Sequence, residues 1–282
     1  MRRSALAVVG VLALLAGCGG STTAQRALPS TTLSPTVSPT PLPSTSPILS
    51  PSPSRLTRPP HPPSPAAAPQ HVVHSTVPHI SPLLVTRLHG VGSARQVVSV
   101  VASGYGTSSA TVQAFEKTGS SWRRVFGPWS AHIGRAGFAP PGDKREGDLR
   151  TPSGSYGFSF FFGVRANPGV RYEWRPVTGT YDVWDDDPSS ARYNLWTDTR
   201  RDDAGRSPEP MQQVPAYNYS AVIAYNTART PGLGSAIFLH VSTGGGTAGC
   251  VSLPTSELLD VLRWLDPAKG PRIIMGTEST VT

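Results

Sequence analysis

This sequence predicts a mainly β domain, sandwich or barrel-like, with one clear C-terminal helix. Three observations lead there. The 282-residue chain carries 30 Pro and 28 Gly against only 15% charged residues, and its composition changes near Arg95. Beyond that point, short β-branched and aromatic runs alternate with Gly/Pro turns. Only one stretch has the 3.6-residue period of an amphipathic helix. A segment of about 180 residues built this way is long enough to bury a sizeable core.

The elements follow in order. Gln96 to Val101 is a β-branched run, and Ala110 to Lys117 alternates before a Gly119-Ser120 turn. Trp122 to Phe126 and Trp129 to Ile133 read as the next strands, and Tyr156 to Phe162 is an aromatic strand. Ala221 to Tyr225, Ala236 to Val241 and Pro271 to Met275 are short apolar strands. Leu258, Val261, Leu262 and Leu265 fall at i, i+3, i+4, i+7 and define the helix. Pro254-Thr255 starts it and Asp266-Pro267 stops it.

Charge is unevenly placed. The formal net charge is +8, but residues 1–94 hold six Arg and no acid. The remainder is nearly balanced, so the basic character belongs to the leader and tail. A nucleic-acid partner with a basic groove on the domain is therefore disfavoured.

Residues 1–18 open with Arg2-Arg3, run through an apolar stretch from Ala5 to Ala16, and end Leu15-Ala16-Gly17-Cys18. The apolar run is too short for a spanning helix, which needs about 20 residues. A charged start, a short apolar core and small residues before a cut site make a signal peptide. The ending resembles a bacterial lipobox, which implies lipidation of Cys18. Residues 19–94 are Ser/Thr/Pro-rich and lack apolar surface to offset their ordering entropy, which predicts a disordered tether. At up to ~3.1 Å per residue, 70 residues of extended tether reach on the order of 200 Å. Such a tether would let a domain anchored at the outer face of the membrane reach material away from the bilayer. His61, His71, His74, His79 and His89 are irregularly spaced in or near this tail and read as solvated. The domain proper is placed at 95–277.

With Cys18 committed to lipid, Cys250 has no disulfide partner. An exported protein meets an oxidising environment, where a lone thiol is either buried and inert or a nucleophile. Its surroundings favour the nucleophile. An apolar strand ends in His240, a Gly-rich turn follows, and Gly249-Cys250 enters the next extended segment. A thiol attacks as thiolate, so it needs a base or cation beside it, and His240 is ten residues away. An imidazolium there would keep the thiol ionised well below neutral pH. N–H groups at Gly249 and Cys250 could form an oxyanion hole. Only His132 and His240 lie in the domain, and no His follows Cys250, which excludes the papain-like order. One Cys and two scattered His do not make a zinc ligand set.

The segment His240 … Thr247-Ala248-Gly249-Cys250-Val251 resembles the signature of the L,D-transpeptidase catalytic domain family (YkuD, ErfK/YbiS-like). Arg150-Thr151-Pro152-Ser153-Gly154 resembles the family's Thr-Pro-x-Gly turn. The resemblance covers roughly 96–276. It implies a mainly β fold, Cys250 as nucleophile and His240 as general base, oriented by a backbone carbonyl near Val241. It also implies peptidoglycan stem peptides as substrate, cross-links as product, and no metal or organic cofactor. Ala248 stands where the family has His, the loop is short, and Ser252 stands where Arg or Asn is common, which marks a divergent member.

Around this pair, Thr247 and Ser252 are assigned to substrate contacts. Asp186, in the acidic run Asp182 to Asp187, is a candidate to hold the substrate's amines, the alternative being a solvated loop, and Arg229 is a candidate to grip a carboxylate, the alternative being a surface Arg. Gly134 to Asp148 is a candidate lid. An L,D-carboxypeptidase would use the same site with water as acceptor. A non-catalytic wall-binding lipoprotein is the alternative from another class.

Overall fold

The computed structural model describes residues 82–282. The leader with Cys18 and the tether up to residue 81 lie outside the described residues.

The β-branched and aromatic runs do form strands. β1 (Gln96–Ala102), β2 (Ser109–Thr118) and β3 (Ser121–His132) make an antiparallel meander. The two runs expected as separate strands around Gly127-Pro128 are one strand, β3. Its pairing with β2 shifts register beside that dipeptide, so a bulge absorbs the irregularity. β4 (Phe138–Ala139) and β5 (Thr151–Pro152) form a small parallel pair. β6 (Gly154–Tyr156), β7 (Phe158–Gly163) and β8 (Trp174–Pro176) follow. β9 (Asp182–Asp185), β10 (Leu195–Asp198) and β11 (Glu209–Pro210) form a separate three-stranded sheet in the order β10-β9-β11. β12 (Ser220–Ile223), β13 (Phe238–Val241) and β14 (Val251–Leu253) precede α1 (Thr255–Trp264), and β15 (Arg272–Thr277) leads into the short α2 (Glu278–Val281).

The result is a mainly β fold whose main sheet is curled, with the order β6-β15-β1-β2-β3-β14-β13-β12-β7-β8. Leu258, Val261, Leu262 and Leu265 lay the apolar stripe of the C-terminal helical segment against one face of it. Each such fully buried side chain contributes about 1.5–3 kcal/mol.

Strand alternation decides what lies on the other face. Leu239 and Val241 of β13, Val251 and Leu253 of β14, and Ala221 and Ile223 of β12 belong to the core under α1. Successive strand side chains point to opposite faces. Phe238 and His240, Cys250 and Ser252, and Ser220 and Val222 therefore face away from α1. That second face packs Phe160, Phe162, Trp184, Met211, Tyr217 and Val222 around Phe238 and Cys250. It is also where the three-stranded sheet contributes Trp184.

Packing begins ahead of Arg95, where the sequence reading placed the start of the domain. Val85, Leu88 and Ala94 are buried with Val97, Phe115, Ile274 and Val281. His89 N–H bonds to Val281 O at 2.7 Å, and Arg95 N–H to Lys269 O at 2.9 Å. The Pro-rich composition upstream hides a short apolar docking segment, Leu83-Leu84-Val85, that caps the edge of the core.

Candidate active site

β13 and β14 are parallel neighbours, with Leu239 opposite Val251 and His240 opposite Ser252. Parallel neighbours need a crossover, and here Ser242 to Cys250 supplies it as an irregular loop. The loop is pinned where β3 ends. Thr247 N–H bonds to Ile133 O, and Arg135 N–H to Thr247 O, both at 2.8 Å. The return brings Cys250 beside Phe238, whose N–H reaches Sγ at 3.4 Å. Gly249 turns the chain at φ +154, and a Cβ there would stand 3.0 Å from Arg150 O. Glycine is required by that conformation and that contact together.

His240 sits in a slot between Ser220 of β12 and Ser252 of β14, its register neighbours. Their small side chains leave room for the ring, and Tyr217 closes it edge-on with centroids 5.5 Å apart. Nδ1–H donates to Val241 O at 2.8 Å. That bond fixes the tautomer and leaves Nε2 as the lone-pair nitrogen. Burial pulls the imidazole down to about 4, against the opposing pull of the Val241 carbonyl. At neutral pH the ring is an uncharged base.

Cys250 is 7% exposed. Its thiol donates to Ala236 O at 3.2 Å. Burial pushes it well above the usual thiol range, and the Glu209 carboxylate adds to the rise. The expected imidazolium–thiolate pair is therefore not the resting state. Both groups are neutral, because each is buried and no hydrogen bond joins them in this geometry.

Cys250 and His240 line one cleft of about 440 Å³. Arg135, Lys144, Glu146, Asp186, Glu209 and Tyr217 also line it. Lys144 is already engaged, bonding Asp148 Oδ1 and Arg145 O at 2.6 Å each. The candidate lid is thus a wall braced by its own polar contacts. Burial, with Glu146, Asp185 and Asp187 adding, pushes Asp186 up to about 6. Among the described residues no group of three or more His, Cys, Asp or Glu is placed to hold a metal ion.

Other sequence assignments change. Thr247 lines the cleft, but its hydroxyl donates to Cys250 O at 2.7 Å and accepts the Gly249 N–H at 3.1 Å. It braces the Cys250 backbone, and the Gly249 amide is spent on that hydroxyl and not on an oxyanion. Ser252 is 1% exposed beside His240 and does not reach the cleft. It shares the face of Cys250 but is covered there, between its register neighbours His240 and His132. Arg229 lies outside the cleft, on a separate hollow with Phe160, Trp184 and Tyr225. The turn built by Asn226, which takes Thr230 N–H at 2.9 Å, carries Arg229 away to Ala191 O. Asp182 and Asp185 serve the loops beside them, Asp182 accepting from Thr178 and Asp185 from Ser190. Asp186 alone of that acidic run reaches the cleft.

Two residues at the site were not singled out from sequence, Glu209 and Tyr217. Tyr217 donates its hydroxyl to Glu209 Oε1, and Gln213 Nε2 donates to the same oxygen at 3.0 Å. A lone Glu beside Pro210, upstream of the aromatic run Tyr217-Asn218-Tyr219, was the available signal.

Among the described residues the one cysteine, just before β14, and a tautomer-fixed histidine on the parallel neighbour β13 share one cleft of a curled β sheet. The family model for the L,D-transpeptidase catalytic domain (YkuD) matches residues 108–278, and the chain belongs to that family. Among solved structures, it is similar to the helical cell shape determining protein Pgp2 from Campylobacter jejuni. That likeness has a TM-score of 0.37 and 15% identity, over 67% of this chain and 50% of that one. This chain thus spans half the length of that protein. No curated protein matches the chain.

Proposed function

We propose that this protein is a peptidoglycan L,D-transpeptidase working through a Cys250 acyl-enzyme with His240 as general base. The observation that carries the reading is the Nδ1–H bond from His240 to Val241 O, which leaves a neutral Nε2 on the cleft that also holds Cys250. In the first half-reaction the thiol proton passes to Nε2 and sulfur bonds the carbonyl carbon of the diamino acid in a stem peptide. The C–N bond to the terminal D-Ala breaks, and the imidazolium gives its proton to the leaving amine. In the second half-reaction an amine of another stem attacks the thioester, forming the cross-link and returning the proton to sulfur.

The thiol leaves Ala236 O for this chemistry, and the substrate that fills the cleft supplies the displacement. Family membership supports the reaction class, and the buried, uncharged base supports general-base activation over a standing ion pair. A tetrapeptide stem offered with and without an acceptor stem tests the reading. A cross-linked dimer is expected with acceptor. Tripeptide alone under both conditions would make the protein an L,D-carboxypeptidase, and unchanged substrate would leave a wall-binding role.

Export with Cys18 as lipid anchor is part of the same reading, supported by Leu15-Ala16-Gly17-Cys18. Cys18→Ala should release the protein from membranes and abolish palmitate labelling. Label entering the variant would contradict it.

A further inference from the structure

Glu209 stands at the meeting of the two sheets. β11 pairs it with Trp184 of β9, and its side chain lines the cleft beside Cys250 and Tyr217. One carboxyl oxygen is clamped, taking the Tyr217 hydroxyl and the Gln213 amide. The other takes no donor from the described residues and is not sealed from the cleft. No Lys or Arg forms an ion pair with Glu209 among the described residues. Of the two cations lining the cleft, Lys144 is tied to Asp148, and Arg135 forms no ion pair with Glu209. The clamp also reaches the base, since the Tyr217 ring packs against His240.

We propose that Glu209 is a positioning residue for the nucleophile: its clamped carboxyl, open to the cleft on one side, sets how readily Cys250 gives up its proton. An ionised Glu209 opposes a second negative charge on sulfur in a buried site, where charges interact strongly. A protonated or cation-paired Glu209 lifts that opposition. Burial pushes Glu209 up to about 7, Asp186 and Glu146 add to it, and its two hydrogen bonds pull the other way. The carboxyl therefore changes charge near neutral pH. The charged and titratable groups facing it are Asp186, Glu146, Lys144 and Arg135 on the cleft walls, and Tyr217, His240 and Cys250 on the main-sheet side. The inference rests on Cys250 being the nucleophile, but its test reads thiol chemistry alone.

The test is the rate of Cys250 alkylation by iodoacetamide against pH, in the wild-type mature protein, Glu209→Gln, Asp186→Asn and the surface control Glu278→Gln. In wild type the log rate should climb, flatten near pH 7 as Glu209 ionises, and climb again. Glu209→Gln keeps a polar group for Tyr217 and Gln213. It should remove the shelf and raise the rate at pH 8 about 3-fold or more, because the opposing charge is gone. Glu278→Gln should follow wild type. A Glu209→Gln profile that keeps the shelf, or a shelf removed only by Asp186→Asn, would overturn the proposal. Should Glu209→Gln not fold, the wild-type profile decides, since an unbroken climb with no shelf contradicts it. A shelf that behaves as expected in a protein that forms no acyl-enzyme would count against the proposed function and leave this inference standing.

Discussion

The Cys250 thiol donates its hydrogen to Ala236 O at 3.2 Å while the Phe238 N–H reaches the sulfur from the neighbouring strand at 3.4 Å. Cys250 is thereby held as a neutral, buried thiol by backbone groups at and just before β13, the strand that carries His240. Alkylation by iodoacetamide should accordingly be slow at neutral pH, with a midpoint above the ~8.5 of a free thiol. A midpoint below 7 would mean that a standing thiolate exists and that the neutral-pair geometry is wrong.

His240→Ala should slow acylation by ~10²-fold or more, as loss of a general base does. His132→Ala should resemble wild type. His132 ends β3 opposite Ser109 and Ser252, and it does not line the cleft. Acylation rates with a tetrapeptide stem compare the three proteins, and an equal loss in His132→Ala would reassign the base.

Two buried groups make stability depend on pH in opposite senses. The folded His240 is lowered from 6.5 to about 4, so its contribution is present above 6.5 and is lost as pH falls toward 4. The folded Glu209 is raised from 4.5 to about 7, so its contribution is present below 4.5 and is lost as pH rises through 7. Glu209→Gln should therefore gain stability relative to wild type between pH 5 and pH 8, by up to about 3 kcal/mol on linkage. Urea unfolding at both pH values measures the difference. A gap that stays constant or shrinks would show that Glu209 titrates normally.

Much of this was legible in the sequence, for physical reasons. β-branched runs gave most long strands, and the Leu258-Val261-Leu262-Leu265 stripe gave α1, because burial on a sheet face selects those patterns. Cys250 and His240 were legible because a lone thiol and a strand-end imidazole are chemically conspicuous. Glu209 and Tyr217 were not, because they reach the site through β11 and a single 3₁₀ turn, Ala216–Asn218, in a segment without periodicity. Ser252 and Arg229 were misplaced for a related reason. Sequence proximity to the motif does not reveal whether a side chain on the right face is covered, as Ser252 is, or which side of a turn it takes, as with Arg229.

Thr247→Val removes the hydroxyl that joins the Gly249 amide to the Cys250 carbonyl. The cost should be about 1–3 kcal/mol, that of leaving the Gly249 amide unmatched, while Cys250 O keeps the Thr151 hydroxyl at 3.4 Å. The acylation rate should fall while substrate affinity holds. A stability equal to wild type would return Thr247 to the role of substrate contact.

The segment before Arg95 is expected to be structural. A chain starting at residue 95 loses Val85, 2% exposed, and Leu88, 7% exposed. Compared with a chain starting at residue 82, it should be less stable by roughly 3 kcal/mol, at about 1.5–3 kcal/mol per buried side chain. Equal urea midpoints would place the boundary at 95 after all.

In the proposed reaction Cys250 carries the acyl group with His240 as its base. Intact-protein mass spectrometry after brief mixing with a tetrapeptide stem tests it most directly. The account requires a mass gain equal to the stem less its terminal D-Ala, mapped by proteolysis to the peptide holding Cys250. That gain should be absent from Cys250→Ala and strongly delayed in His240→Ala. An adduct that persists in Cys250→Ala, or turnover of the stem by that variant, would contradict it.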